Sequence, residues 1–290
     1  MPSGQRRAEA GVAETGGRAG LPGADTGGPR SRAGLGKANR PGLLGTQLVG
    51  LLGLLTLATG CDRLPDPDEA APPGGGSGDS RAVSPLANPD GTGPGLAALT
   101  SEADRAEARK LIRGLATKGR GPKTGYEREE FGYAWLDTAD GVPLARNGCD
   151  TRNDLLKLHG RQVRFRSGSD CVVASMTLHD PYTGKDIAWK KAKAAEVQID
   201  HVVPLSYSWQ MGAARWPESK RRQLANDVLN LLPVEGRANS SKRDSGPASW
   251  LPPDRTIRCA YVTRFAQVAG KYELPVTTAD RAMMLEQCGG

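Results

Sequence analysis

The residues best suited to chemistry in this chain are Asp200 and His201, back to back in the apolar run VQIDHVVPL at 197–205. Burying a charge without a partner costs several kcal/mol, so the pair needs a reason to be there. A carboxylate offers a hard, charged oxygen to a cation. An imidazole with a pKa of about 6.5 takes up a proton at neutral pH. Two amides follow, Asn230 and then Asn239 nine residues later. Each residue also has an ordinary role: Asp200 as a strand-end residue bonded to a turn, His201 as a satisfied half-buried imidazole, the asparagines as caps or turns. Isolated Asp-His pairs are common. The order and spacing of the set carry the functional reading. His159 and His179 lie outside it and read as surface or turn histidines with no ligand role.

Short elements must position these residues. The apolar run reads as a strand ending near Pro204, and the strand end matters because adjacent strand residues point to opposite faces. PESKRRQLANDV reads as a polar helix with Pro217 in its first turn, NLLPVEG as a second short strand, and RANSSKRDSGPASW as the start of a helix carrying Asn239. Upstream, RQVRFRSGSDCVVASMTLHDPYTGKDIAW alternates like strands, with turn chemistry at 180–184. A helix capped by Thr100 or Ser101 precedes them, and two helices through YVTRFAQVAGKYEL and TTADRAMMLEQC close the chain.

Composition divides the 290 residues unevenly. The first 120 are rich in Gly, Ala, Pro, Ser and charge, whereas aromatics and four of the five cysteines come from Tyr126 onward. One globular domain of about 170–190 residues is expected. Residues 43–60 are uncharged and apolar, follow Arg32, Lys37 and Arg40, and end in Ala58-Thr59-Gly60-Cys61. That pattern predicts a secretory signal over residues 1–60 with a poorly ordered N-terminal extension, and a lipid on Cys61. An uncleaved anchor is the alternative, and both place the domain outside the cytoplasm. Residues 61–99 read as a disordered Pro/Gly-rich tether.

The net charge is +7, but residues 1–60 hold 7 basic and 3 acidic residues, which leaves 32 and 29, or +3. Charge alone therefore gives no argument for nucleic acid. With Cys61 set aside, Cys149, Cys171, Cys259 and Cys288 allow three connectivities in an exported domain. Cys149–Cys171 and Cys259–Cys288 are favoured because each closes a short loop. No two cysteines have the C-x2-4-C spacing of a zinc site.

Several motifs occur in order: YEREEFG at 126–132, NGCDTRND at 147–154, DPYTG at 180–184, IDHVVPL at 199–205, NDVLNL at 226–231 and ANSSK at 238–242. Together they resemble exported actinobacterial proteins of the HNH endonuclease family, the branch related to the C-terminal nuclease domain of GmrSD-type restriction enzymes. Asp200-His201, Asn230 and Asn239 look like the motif in its D-H…N…N form. The resemblance covers roughly residues 100–290, with the motif core at about 196–250.

It implies an α+β domain with a ββα-metal core, additional helices and a small antiparallel sheet. It also implies a divalent cation, Mg²⁺ or Mn²⁺, held by Asp200 and Asn239. His201 would be the general base, and Asn230 would tie the loop that aims it. Arg152, Lys242 and Arg243 would contact phosphates, although Arg128 and Arg152 could equally make ion pairs with Asp150 or Asp154. The implied substrate is nucleic acid, DNA before RNA, bound weakly and without sequence preference, and no protein partner is indicated. A non-catalytic, disulfide-stabilised surface lipoprotein using the same framework for binding is the alternative.

Overall fold

The computed structural model describes residues 81–290. The apolar stretch at 43–60, Cys61 and the first part of the expected tether lie outside the described residues. No described helix is long and apolar enough to cross a membrane.

Residues 81–99 depart from the sequence reading, because they pack on the domain rather than trailing from it. Val83 N–H donates to Pro94 and Ala97 N–H donates to Val83, closing a loop on itself. Gln267 donates to Pro85 O at 2.7 Å, and Leu96 and Leu99 are buried. The glycines here serve close approach. Gly91 has φ +80, and a Cβ on it would lie 2.5 Å from the Leu229 backbone. A Gly/Pro-rich composition looks loose in sequence, but here it supplies contacts that no larger residue could make.

Helix α1 (Glu102–Arg113) is capped by Ser101, whose hydroxyl accepts from Asp104 N–H, and it buries Ala108 and Ile112. Helix α2 (Thr151–His159) is capped by Asp150. A three-stranded antiparallel sheet follows, in the order β1 (Arg161–Phe165), β2 (Val173–His179), β3 (Asp186–Lys190). The β2–β3 turn is fixed by Asp180, which accepts from Thr183 N–H and from Glu235 N–H at 2.9 Å each. That second bond ties the sheet to the site region.

Strand β4 (Val197–His201) pairs antiparallel with β5 (Leu231–Glu235), with Asp200 opposite Leu232 and His201 opposite Leu231. Between them lie α3 (Leu205–Gln210) and α4 (Glu218–Asn226), with Pro217 at the α4 N-cap. Helix α5 (Gly236–Lys242) leaves directly from β5. Helix α6 (Arg258–Lys271) is buried along most of its length and forms the middle of the main core, and α7 (Thr278–Gln287) packs beside it. Truncating the fully buried Phe265 to Ala would cost about 3–5 kcal/mol through transfer and cavity terms. A smaller apolar cluster, including Leu155, Leu178 and Trp189, lies between α2 and the sheet.

Two disulfides staple the described chain. Cys149–Cys171 joins the α2 entry to the approach to β2, and Cys259–Cys288 joins the start of α6 to the end of α7. The domain is a mixed structure of helices and small antiparallel sheets. His159, read from sequence as a surface histidine, is in fact buried, with Nδ1 accepting from Gly95 N–H at 2.9 Å. The 81–99 segment covers it.

Candidate active site

The exit of β4 splits the Asp-His pair between two surroundings, as strand alternation requires. Asp200 turns into the protein. Both of its carboxylate oxygens meet Lys242 Nζ, at 2.9 and 2.8 Å, and Tyr182 donates its hydroxyl to Oδ2 at 2.5 Å. Lys242 places its third proton on His201 O at 2.7 Å, so the ammonium's three donors are all used. Its side chain is 0% exposed. Burial pushes the Asp200 carboxyl up and the Lys242 ammonium down, and each charge pulls the other back. Burial and the Asp200 charge also hold the Tyr182 phenol protonated, as a donor.

His201 is half-buried, and its Nε2 lies 3.0 Å from Ala225 O near the end of α4. Trp135 stacks on the ring, with centroids 6.0 Å apart and planes 13° from parallel. Burial, followed by the Arg128 charge, lowers the imidazole pKa to about 3. The ring is therefore neutral near pH 7. Asn230 is buried behind it. Its Oδ1 accepts from Val203 N–H at 2.8 Å, while its Nδ2 donates to Val203 O and Leu224 O. One side chain thus bonds the loop leaving His201 and the helix end that holds the imidazole.

Asp200, His201 and Asn239 all line a groove of about 530 Å³, with Tyr126, Arg128 and Arg243 among its other walls. Asn239 Nδ2 donates to Gln198 Oε1 at 2.8 Å, which leaves the amide oxygen without a partner among the described residues. Arg243 is exposed at the α5 C-cap with φ +55, and its guanidinium has no hydrogen bond or ion pair among the described residues.

The three cations expected to meet phosphate are thus in different situations. Arg243 faces the groove. Lys242 does not, because it is spent on Asp200 and the backbone. Arg152 lies in a separate cleft beside Trp135 and Asp150, and donates to Val197 O at 3.1 Å. Arg128 donates to Gly132 O at 3.2 Å while walling the groove.

The oxygen donors fit a hard divalent cation, with limits. No group of three or more His, Cys, Asp or Glu side chains converges as a ligand cluster among the described residues. Asp200 Oδ1 accepts from Lys242, and the His201 backbone N–H also bears on the carboxylate. With the Asn239 oxygen it would offer a cation one anionic and one neutral ligand, and water and phosphate would fill the rest. The Lys242 ammonium already neutralises the carboxylate, which makes this a weak site for a lone ion.

Several contributors escaped the sequence reading. Gln198 stands two residues before Asp200 on one strand, a period-two signal that could have found it. Tyr182 lay within a segment read as a turn. Trp135 and the Ala225 carbonyl carried no sequence signal.

Residues 150–287 match the family described as GmrSD restriction endonucleases, C-terminal domain. The match contains Asp200, His201, Asn230, Asn239 and Lys242, the ordered set that the structure gathers around one strand end. The chain belongs to this family. The GmrSD C-terminal match begins after Tyr126 and Arg128, so part of the groove wall comes from outside it. A protein of Arthroderma benhamiae, named "Uncharacterized secreted protein", is 38% identical over 186 residues, covering 62% of this chain and 84% of its own length. No solved structure matches the chain.

Proposed function

We propose that this domain is an exported, metal-dependent endonuclease of the HNH type, hydrolysing phosphodiester bonds in nucleic acid, with DNA the favoured substrate. The observation that carries the reading is the state of His201. A carbonyl only accepts, so Nε2 must carry the proton and Nδ1 is left with the free lone pair. The neutral imidazole lines the groove and can accept a proton from water at Nδ1, although burial lowers its pKa to about 3 and so weakens it as a base in the ligand-free protein. Arg243 and Arg128 supply positive charge for the phosphate. Asn239 and Asp200 would hold the cation, which when bound supplies charge neutralisation at the phosphate and the leaving oxygen. Gln198 keeps the Asn239 oxygen turned outward, and Asn230 holds the backbone on either side of the base. The β4–β5–α5 order is that of a ββα core and supports the HNH assignment.

Export is supported by the two disulfides and by the secreted relative. A lipid on Cys61 would keep the protein at the membrane. A binding module without catalysis is the second reading, favoured by the Lys242 ammonium seated on Asp200 and by the net charge of only +3 after residue 60. Supercoiled plasmid incubated with Mg²⁺ or Mn²⁺, with and without chelator, separates the two. The nuclease reading requires nicking that chelator abolishes and that His201→Ala loses by about 10²-fold or more, the contribution of a general base. Undiminished cleavage by His201→Ala ends this mechanism, and no cleavage under any metal leaves the binding module.

A further inference from the structure

Single exposed aromatics are common on protein surfaces and by themselves carry no argument. Tyr133 differs in its setting. It is 85% exposed, and its ring makes no contact with another ring among the described residues. It borders a cleft of about 610 Å³, whose other walls include Gly132, Leu136 and Arg222. Arg128 lines both this cleft and the groove that holds His201.

The segment carrying Tyr133 is pinned on both sides. Phe131 is fully buried, its ring 6.2 Å from Tyr126 and 6.3 Å from Trp209. Trp135 stacks on His201, and Leu136 N–H donates to Asn226 Oδ1 at 2.9 Å, at the end of α4 beside Ala225. Two residues of chain reach about 7 Å at most, so the Tyr133 backbone stays near that of Trp135, whose ring stacks on His201. Gly132 has φ +78, and a Cβ there would lie 2.7 Å from the Arg222 stem, so the glycine lets that stem lie against the loop.

We propose that this cleft is a nucleobase subsite, in which an unpaired base of the substrate stacks on Tyr133 while Arg128 meets the adjoining phosphate. The inference rests on the nuclease reading and narrows its substrate to single-stranded or locally melted nucleic acid. A base inside a duplex keeps its faces against its neighbours and cannot stack on a protein ring. Stacking of this kind tolerates any base, because every base has a π face, which agrees with a site lacking evident sequence readout.

The test uses a labelled oligothymidylate whose binding is followed by fluorescence anisotropy in chelator, so that no cleavage occurs. Hydrolysis of bis(p-nitrophenyl) phosphate in Mn²⁺, a diester without bases, is measured in parallel. Tyr133→Ala should weaken oligothymidylate binding by roughly tenfold, the scale of one lost base stack. Tyr133→Phe should restore it, an abasic oligomer should erase the difference, and the aryl diester should be hydrolysed at the wild-type rate. Equal oligothymidylate binding by wild type and Tyr133→Ala overturns the subsite while leaving the nuclease reading intact. An equal loss on blunt duplex overturns the preference for an unpaired base. A wild-type protein that neither binds the oligomer nor hydrolyses the aryl diester overturns the nuclease reading, and the subsite with it.

Discussion

The imidazole Nε2 of His201 lies 3.0 Å from the carbonyl oxygen of Ala225, so the backbone of α4 chooses the tautomer of the proposed base. That carbonyl is itself placed by Asn230, which donates to Leu224 O one residue earlier at 3.2 Å. Asn230→Ala should therefore act on both folding and turnover. It leaves Val203 N–H buried without its acceptor, at a cost of about 1–3 kcal/mol. Urea unfolding should show that loss. Plasmid nicking should show kcat reduced with KM near the wild-type value, and unchanged kcat would remove Asn230 from the positioning of His201.

Gln198 offers a test of the amide orientation. Its oxygen accepts the Asn239 amide proton at 2.8 Å and keeps the Asn239 carbonyl turned toward the groove. Gln198→Ala frees that amide to rotate, and a supporting residue of this kind is typically worth about 10–100-fold in metal affinity. Mn²⁺ binding followed by electron paramagnetic resonance should weaken on that scale while the thermal melt barely moves. An unchanged Mn²⁺ affinity would detach Asn239 from the metal.

Lys242 should behave as an internal counter-ion. Lys242→Met leaves the Asp200 carboxylate buried beside Tyr182 with no positive partner, a situation that destabilises by about 3–5 kcal/mol. Adding Asp200→Asn removes the stranded charge, so the double variant should regain most of the loss. A double-mutant cycle by urea unfolding reads the coupling directly. Additive losses would mean that the two side chains do not depend on one another.

His159 makes stability depend on pH. Burial, reinforced by the charges of Arg264 and Arg81, lowers its pKa from 6.5 to about 3 in the folded protein. Between those values the unfolded chain binds a proton that the folded protein refuses. The contribution of His159 is thus complete above pH 6.5 and is lost as pH falls toward 3, by about 1.4 kcal/mol per pH unit at most. His159→Asn keeps an acceptor for Gly95 N–H but does not titrate. Its unfolding free energy should show a shallower slope between about pH 6 and 4, losing the His159 share and keeping that of His201, whose pKa is lowered alike, as measured by urea melts at about half-unit steps.

The strand–strand–helix order around the site was legible because it is local. VQIDH alternates, NLLPV follows a helix opened by Pro217, and Asn239 falls inside the next helix. The disulfide partners were also legible, since each pair closes a short stretch of chain. What was illegible depends on packing between distant segments. Lys242 and Arg243 read as two equivalent surface cations, and only the approach of α5 to β4 makes one of them internal. Helix α3, LSYSWQ, has no side-chain cap and is too short to show periodicity. Tyr182 lies 18 residues before Asp200, so its hydroxyl meets the carboxylate only after the β2–β3 turn docks against β5.

The packing of residues 81–99 also decides where the domain can be shed. A protease cutting before Arg81 would keep every described residue, including Arg81, which reaches Gly160 O at 3.2 Å. A cut after Leu99 would take away the Gly95 N–H that satisfies His159 and two leucines of the main core. A shortened form that keeps the His159 contact and both leucines must therefore begin upstream of Gly95.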